Sequence, residues 1–176
     1  MLSNSPAWKD CLFTSINLMI NSTEFTLHPF QPADQAEVKA LILAGLVEHW
    51  GVLDPTKNPD LDNIAASYAG ATFLVARHAG RIIGAGALVP RADGTAEVVR
   101  MSVAADWRRQ GLGCTILHAL VEHARQAGFL RVVLETTDTW QEVIAFYLRF
   151  GFHITHYQDG DVYFELDLGL DTAKNA

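Results

Sequence analysis

Apolar residues recur along this chain in two rhythms, and the switches between them mark out its elements. Phe25-Thr26-Leu27-His28-Pro29-Phe30 reads as a strand from its apolar and polar alternation. Across residues 33–50, Val38, Leu41, Ile42 and Leu46 fall on one stripe of a helix. A loop from Asp54 to Pro59 leads to a short helix over residues 61–68. Two apolar runs, 72–78 and 81–89, flank a tight Ala79-Gly80 turn and predict a hairpin. Arg91-Ala92-Asp93-Gly94 turns the chain into a third run, 96–103. Leu112, Ile116, Leu120 and Ala124 then predict a helix over 112–127 that Gly128 ends. Strands over 131–136, 152–157 and 161–167, with a helix over 140–150, complete the order. Hairpins first and strand–helix–strand units later imply one mixed α/β domain.

Size and charge narrow what such a domain does. The chain has 176 residues, 49% of them hydrophobic, enough for one sizeable core. Its net charge is −7 and no basic run exceeds Arg108-Arg109, so nucleic acid is not an expected partner. Cys11 and Cys114 are too far apart in sequence for a disulfide framework, which favours a reducing cytoplasm. Cys114 reads as a small buried residue, with a helix-terminal thiol of lowered pKa as the alternative. The histidines do not fall at metal-ligand spacings, and His118 and His123 read as a solvated helix face, so no metal is expected. Residues 1–24 differ in character: their apolar run from Cys11 to Ile20 is too short to span a membrane. They read either as an extension packed on a domain of residues 25–170, or as an upstream start with Met19 as the native one. Residues 171–176 read as a tail.

Arg108-Arg109-Gln110-Gly111-Leu112-Gly113 stands out between a strand and a helix. Glycines at a helix start let consecutive N–H groups converge, and the helix dipole adds positive potential, so the turn suits a pyrophosphate. Two arginines add charge-assisted donors. A turn that needs glycine only for its geometry is the competing reading. A Walker-type site is excluded by the missing Gly-Lys-Ser/Thr ending, and a dinucleotide fingerprint by Ile116 where its third glycine belongs. Glu135 does fall near the acidic position that fingerprint wants.

Arg-x-x-Gly-x-Gly after a strand resembles the acyl-CoA loop of the GNAT superfamily of N-acetyltransferases. A second match, Ala145-Phe146-Tyr147-Leu148-Arg149-Phe150-Gly151-Phe152, resembles that superfamily's closing helix, with Tyr147 36 residues beyond Gly111. The resemblance implies a mixed, mostly antiparallel sheet of six to seven strands with about four helices. It implies acetyl-CoA as co-substrate, held by Met101, Val103 and the stretch Arg108, Arg109, Gln110, Gly111, Leu112, Gly113 and Cys114. Val103 is expected to offer its N–H to the thioester carbonyl where its strand splays from the next. The implied reaction is direct attack by a primary amine in a ternary complex, with Glu97 as base and Tyr147 as acid. Strict alternation puts Glu97, Val99 and Met101 on one face, where a half-buried carboxylate has a raised pKa. A solvated strand-end Glu97 and a core Tyr147 are the competing readings. Trp140 replaces the family's usual asparagine, with Gln141 as a substitute. Trp50 and Asp159, in segments that form the family's acceptor groove, are expected to contact an amine acceptor of open identity. A catalytically silent acyl-CoA-binding domain is the alternative function, and a homodimer stays open.

Overall fold

The computed structural model describes residues 16–20, 23–54 and 56–169. Eight strands form one sheet in the order β1-β2-β3-β4-β5-β6-β8-β7. They are β1 (Ile16–Ile20), β2 (Thr23–Pro29), β3 (Thr72–His78), β4 (Arg81–Pro90), β5 (Thr95–Val103), β6 (Arg131–Thr137), β7 (His153–Gln158) and β8 (Asp161–Asp167). Four helices cover the sheet: α1 (Gln35–Trp50), α2 (Ile64–Ser67), α3 (Leu112–Gln126) and α4 (Gln141–Phe150). All strand pairs are antiparallel except β5 with β6.

The eighth strand exceeds the expected six to seven. Residues 16–20 were grouped with the extension because polar side chains interrupt the run; on β2 their alternation serves an edge strand, with Leu18 and Ile20 turned to the core. The rest of the extension and the tail at 171–176 lie outside the described residues.

Alternation along β3 and β4 sends side chains to two cores. Val38 and Ile42 of α1 pack with Ile64, Phe73, Val75, Ala85 and Ala87 on one face. On the other, Ile116, Leu117, Leu120 and Val121 of α3 join Leu74, Ile83, Leu88, Val98, Val132 and Leu134. Ile144 and Tyr147 of α4 belong to this second core. His123 is buried within it rather than solvated, because α3 is covered on more than one stripe, and burial lowers its pKa.

Two glycines bring α3 against β4. A Cβ at Gly84 would stand 2.6 Å from Ile116 Cδ1, and one at Gly86 2.5 Å from Met101 Sδ and 3.2 Å from Leu120 Cδ1. Opposite Gly86 the ladder slips: Ala85 pairs with Ser102 and Ala87 with Val99, so Arg100 and Met101 share one place. Arg100 has φ 58, a bulge geometry that breaks strict alternation. Val99 therefore packs toward α1 while Met101 turns to the α3 side, and Glu97 and Met101 do not share the face that alternation assigns them.

The Arg100 side chain fixes this bulge. Its Nε donates to Asp60 Oδ2 at 2.9 Å and its Nη1 to Asn58 Oδ1 at 2.8 Å, while the Tyr68 hydroxyl donates to Asp60 at 2.6 Å. Burial works to raise the Asp60 carboxyl, but bonds from Tyr68 and Arg100 outweigh it and hold the group below its ordinary value. Burial first, and the bond to Asp60 second, push the Tyr68 phenol up to about 12.

Gly86→Ala is expected to overpack the seam between β4 and α3 and to lower stability by about 1–3 kcal/mol in urea unfolding. An unchanged midpoint would mean that Met101 yields without strain.

Candidate functional site

Between the walls of the sheet runs a cleft of about 940 Å³. It exists because β5 and β6 pair only from Thr95 with Arg131 to Glu97 with Val133. Beyond that, β5 continues to Val103 and β6 to Thr137 along separate paths. The cleft is lined from both faces of the sheet: Leu41, Gly45 and Leu46 of α1 on one side, and the α3 start with α4 on the other.

One wall is the glycine-bearing turn. Arg109 has φ 61 and Gly111 φ 98, so the chain turns through the left-handed region twice before α3 begins. The result is a row of donors without acceptors. Among the described residues, none of the N–H groups from Arg109 through Cys114 donates a hydrogen bond, and Thr115 is the first to do so, to Gly111 O at 3.0 Å. With the α3 dipole behind them, these amides form an anion cradle. The first N–H groups of any helix lack intrahelical partners, so the row can accept an anion and is also what a turn shaped only to start a helix leaves.

The arginines divide into fixed and free. Arg108 donates Nε to Val103 O at 3.0 Å and Nη1 to Glu48 Oε1 at 2.8 Å, so it braces the turn against β5 and α1. Arg109 is exposed, with one distant carboxylate, Glu142, at 3.9 Å. Gln110 bonds back to Asp106 O at 2.7 Å, and the Leu112 side chain is buried in the core, so neither of these expected residues lines the cleft. Cys114 is exposed on the cleft wall rather than buried, because the third residue of α3 faces away from the sheet.

Tyr147 stands opposite the turn on α4. Its ring is buried among Phe146, Phe152 and Phe164, with centroids 5.1 to 5.8 Å away. Burial pushes its phenol above the ordinary value. No buried side-chain polar atom among the described residues lacks a partner, and no hydrogen bond perturbs this phenol, which places the hydroxyl where the cleft reaches it.

The structure does not bring every expected residue here. Glu97 lies at the closed end of the slot, half-buried and gripped by the Arg91 guanidinium, and it does not line the cleft. Trp50 is exposed against His49, and Asp159 sits in the β7–β8 turn; neither lines the cleft. Met101, Val103, Arg108, Arg109, Gly111, Gly113, Cys114 and Tyr147 do.

Several lining residues escaped the sequence reading of the site, Glu135 and Arg149 among them. Glu135 is the exposed carboxylate of β6, set on the face opposite Val132 and Leu134. Its charge pushes the phenol of Tyr163, its neighbour on β8, up from the ordinary value. Arg149 was visible inside the α4 motif but carried no expected role. Trp140 also lines the cleft, with the His49 ring stacked on it at 4.3 Å. Among the described residues no group of three His, Cys, Asp or Glu side chains is arranged to hold a metal. No helix among them is long and apolar enough to cross a membrane.

These features meet in one family. The model of the acetyltransferase (GNAT) family matches residues 39–152, and the chain belongs to that family. It is 31% identical over 103 residues to N-acetyltransferase 8F1 of Rattus norvegicus, covering 54% of this chain and 47% of that protein. The chain spans about half the length of the curated relatives it matches. Its fold is similar to that of a GNAT-family acetyltransferase from Staphylococcus aureus, with TM-score 0.75, 19% identity, and 82% and 99% of the two chains covered. It is also similar to the PaiA N-acetyltransferase of Thermoplasma acidophilum, solved in complex with coenzyme A, with TM-score 0.71, 18% identity, and 81% and 98% covered. The free amide row and the slot beside it fit acetyl-CoA as co-substrate.

Gly111→Val is expected to abolish acetyl-CoA binding in calorimetry, because φ 98 is closed to a branched side chain and the amide row would turn away. Undiminished affinity, with circular dichroism confirming an intact fold, would show that the cradle is not the anchor.

Proposed function

We propose that this protein transfers the acetyl group of acetyl-CoA to a primary amine by direct attack within a ternary complex. One observation carries the reading: a slot through the sheet with anion-binding amides and Tyr147 on one face and a carboxylate, Glu135, toward the other. The PaiA complex with coenzyme A supports the cofactor half of it.

The pyrophosphate lies on the amides of Arg109 through Cys114, and Arg109 supplies a side-chain cation. Arg108 acts through the backbone it braces. The acyl arm enters where β5 and β6 part, and the unpaired edge beside Val103 offers N–H donors to the thioester carbonyl. Glu135, reached from the α1 side, takes the proton of the acceptor ammonium through water. The amine nitrogen then forms a bond to the carbonyl carbon and the carbon–sulfur bond breaks. Tyr147 gives its proton to the departing thiolate. The second proton shed by the amide nitrogen passes through water to restore the phenol, and burial keeps that phenol protonated across the neutral range.

Glu135 replaces Glu97 as base for a geometric reason. Glu97 is level with Val133, two residues short of Glu135 and therefore roughly 7 Å back along β6, toward the closed end of the slot. Its carboxylate is also committed to Arg91. The acceptor groove lies beyond Leu46 and Gly45, where Trp50 and Asp159 can touch only a substrate long enough to leave the cleft.

Glu135→Gln is expected to lower kcat on the best amine of a panel by about a hundredfold while acetyl-CoA affinity holds. Glu97→Gln should change kcat by less than about threefold once stability is matched; the reverse ranking would return the base to Glu97. Tyr147→Phe keeps the ring and should cost roughly ten- to a thousandfold in kcat, read by thiol release. In the parent this phenol should impose no alkaline fall in kcat below about pH 10, since burial raises its pKa above that of a free tyrosine. Full activity of Tyr147→Phe would make it a core residue.

A further inference from the structure

Four arginines line the cleft, and their partners sort them. Arg100 is locked to Asp60, and Arg108 to Glu48 and Val103 O. Arg109 has only the 3.9 Å contact with Glu142. Arg149 is exposed and makes no ion pair with any carboxylate among the described residues. An arginine on a cleft wall without a carboxylate is a charge held ready for an anion.

Its place along the cleft says which anion. α3 and α4 run side by side in the same direction: Arg109 lies near Glu142, Gly113 near Phe146, and His118 near Phe150, the last pair with ring centroids 5.6 Å apart. Ala145 and Arg149 form one stripe of α4 facing the cleft. Arg149 therefore stands about one helical turn, roughly 5 Å, beyond the level of the amide cradle. The cradle accounts for the two phosphates of the pyrophosphate. Coenzyme A carries one more phosphate, on the 3′ carbon of the ribose past the pyrophosphate. That group is a dianion near neutral pH, and a guanidinium binds it through two parallel N–H donors.

Resting on the reading that this cleft holds acetyl-CoA, we propose that Arg149 binds the 3′-phosphate and makes the protein discriminate coenzyme A from its 3′-dephospho form. Arg109 serves the pyrophosphate, which both forms share. The contact is exposed to water, so its effect is modest and falls with added salt.

Calorimetry with coenzyme A and with 3′-dephospho-coenzyme A tests this. The parent should prefer coenzyme A by about five- to tenfold in Kd at low salt. Arg149→Met should abolish the preference by weakening coenzyme A alone, and Arg149→Lys should keep part of it. Arg109→Met should weaken both ligands alike. Equal binding of the two forms by the parent, or a preference that survives Arg149→Met or is lost in Arg109→Met, would overturn the assignment. The parent's affinity for 3′-dephospho-coenzyme A separates the two levels: if it is retained, the cleft reading stands whatever happens to Arg149. If neither form binds, both fall.

Discussion

Parallel strands ordinarily stay hydrogen-bonded along their shared length, because a peptide group left unpaired away from water is costly. Here β5 and β6 give up that pairing after Glu97 and Val133, and the cleft is the space they leave. Each strand keeps a satisfied partner on its other side, β4 for β5 and β8 for β6, so the break is confined to one seam. What fills the seam must therefore bring hydrogen-bonding groups of its own, and the amide-rich arm of an acyl-CoA does so while a purely apolar ligand does not.

Holding two strands apart requires fixing both. On the β5 side the Arg100 bulge turns one side chain away to Asp60, Asn58 and Tyr68, which ties the strand to the segment before β3. At the end of β5, Arg108 caps the Val103 carbonyl and reaches Glu48 on α1. At the next residue of α1, His49 stacks on Trp140 and meets Thr139 at 3.1 Å. The last turn of α1 thus touches both sides of the opening.

Much of this was legible because local chemistry dictates it. Gly111 announces a turn with positive φ whatever the tertiary context, and the α4 motif places Tyr147 by helix period alone. The element order followed for the same reason. The face shared with Glu97 was not legible: strict alternation through 97, 99 and 101 assigns Met101 to it, and the bulge at Arg100 that turns Met101 away is a tertiary feature with no local signature in a non-glycine residue. Glu135 was hidden differently: which carboxylate enters the cleft depends on where two strands distant in sequence cease to pair. His123 and Cys114 were misplaced because a single helical stripe does not show how many neighbours a helix has.

The amide row at the start of α3 has a thermodynamic side as well. Donors that no protein group satisfies are a debt of the empty state, and an anion that satisfies them stabilises the folded chain and not the unfolded one. At a ligand concentration of about a hundred times Kd this linkage is worth about 2.7 kcal/mol, a sizeable share of the stability of a domain this size. The persistence of the protein, and not only its rate of turnover, is thereby tied to the coenzyme A around it, acylated and free forms alike, since both carry the pyrophosphate that meets these donors.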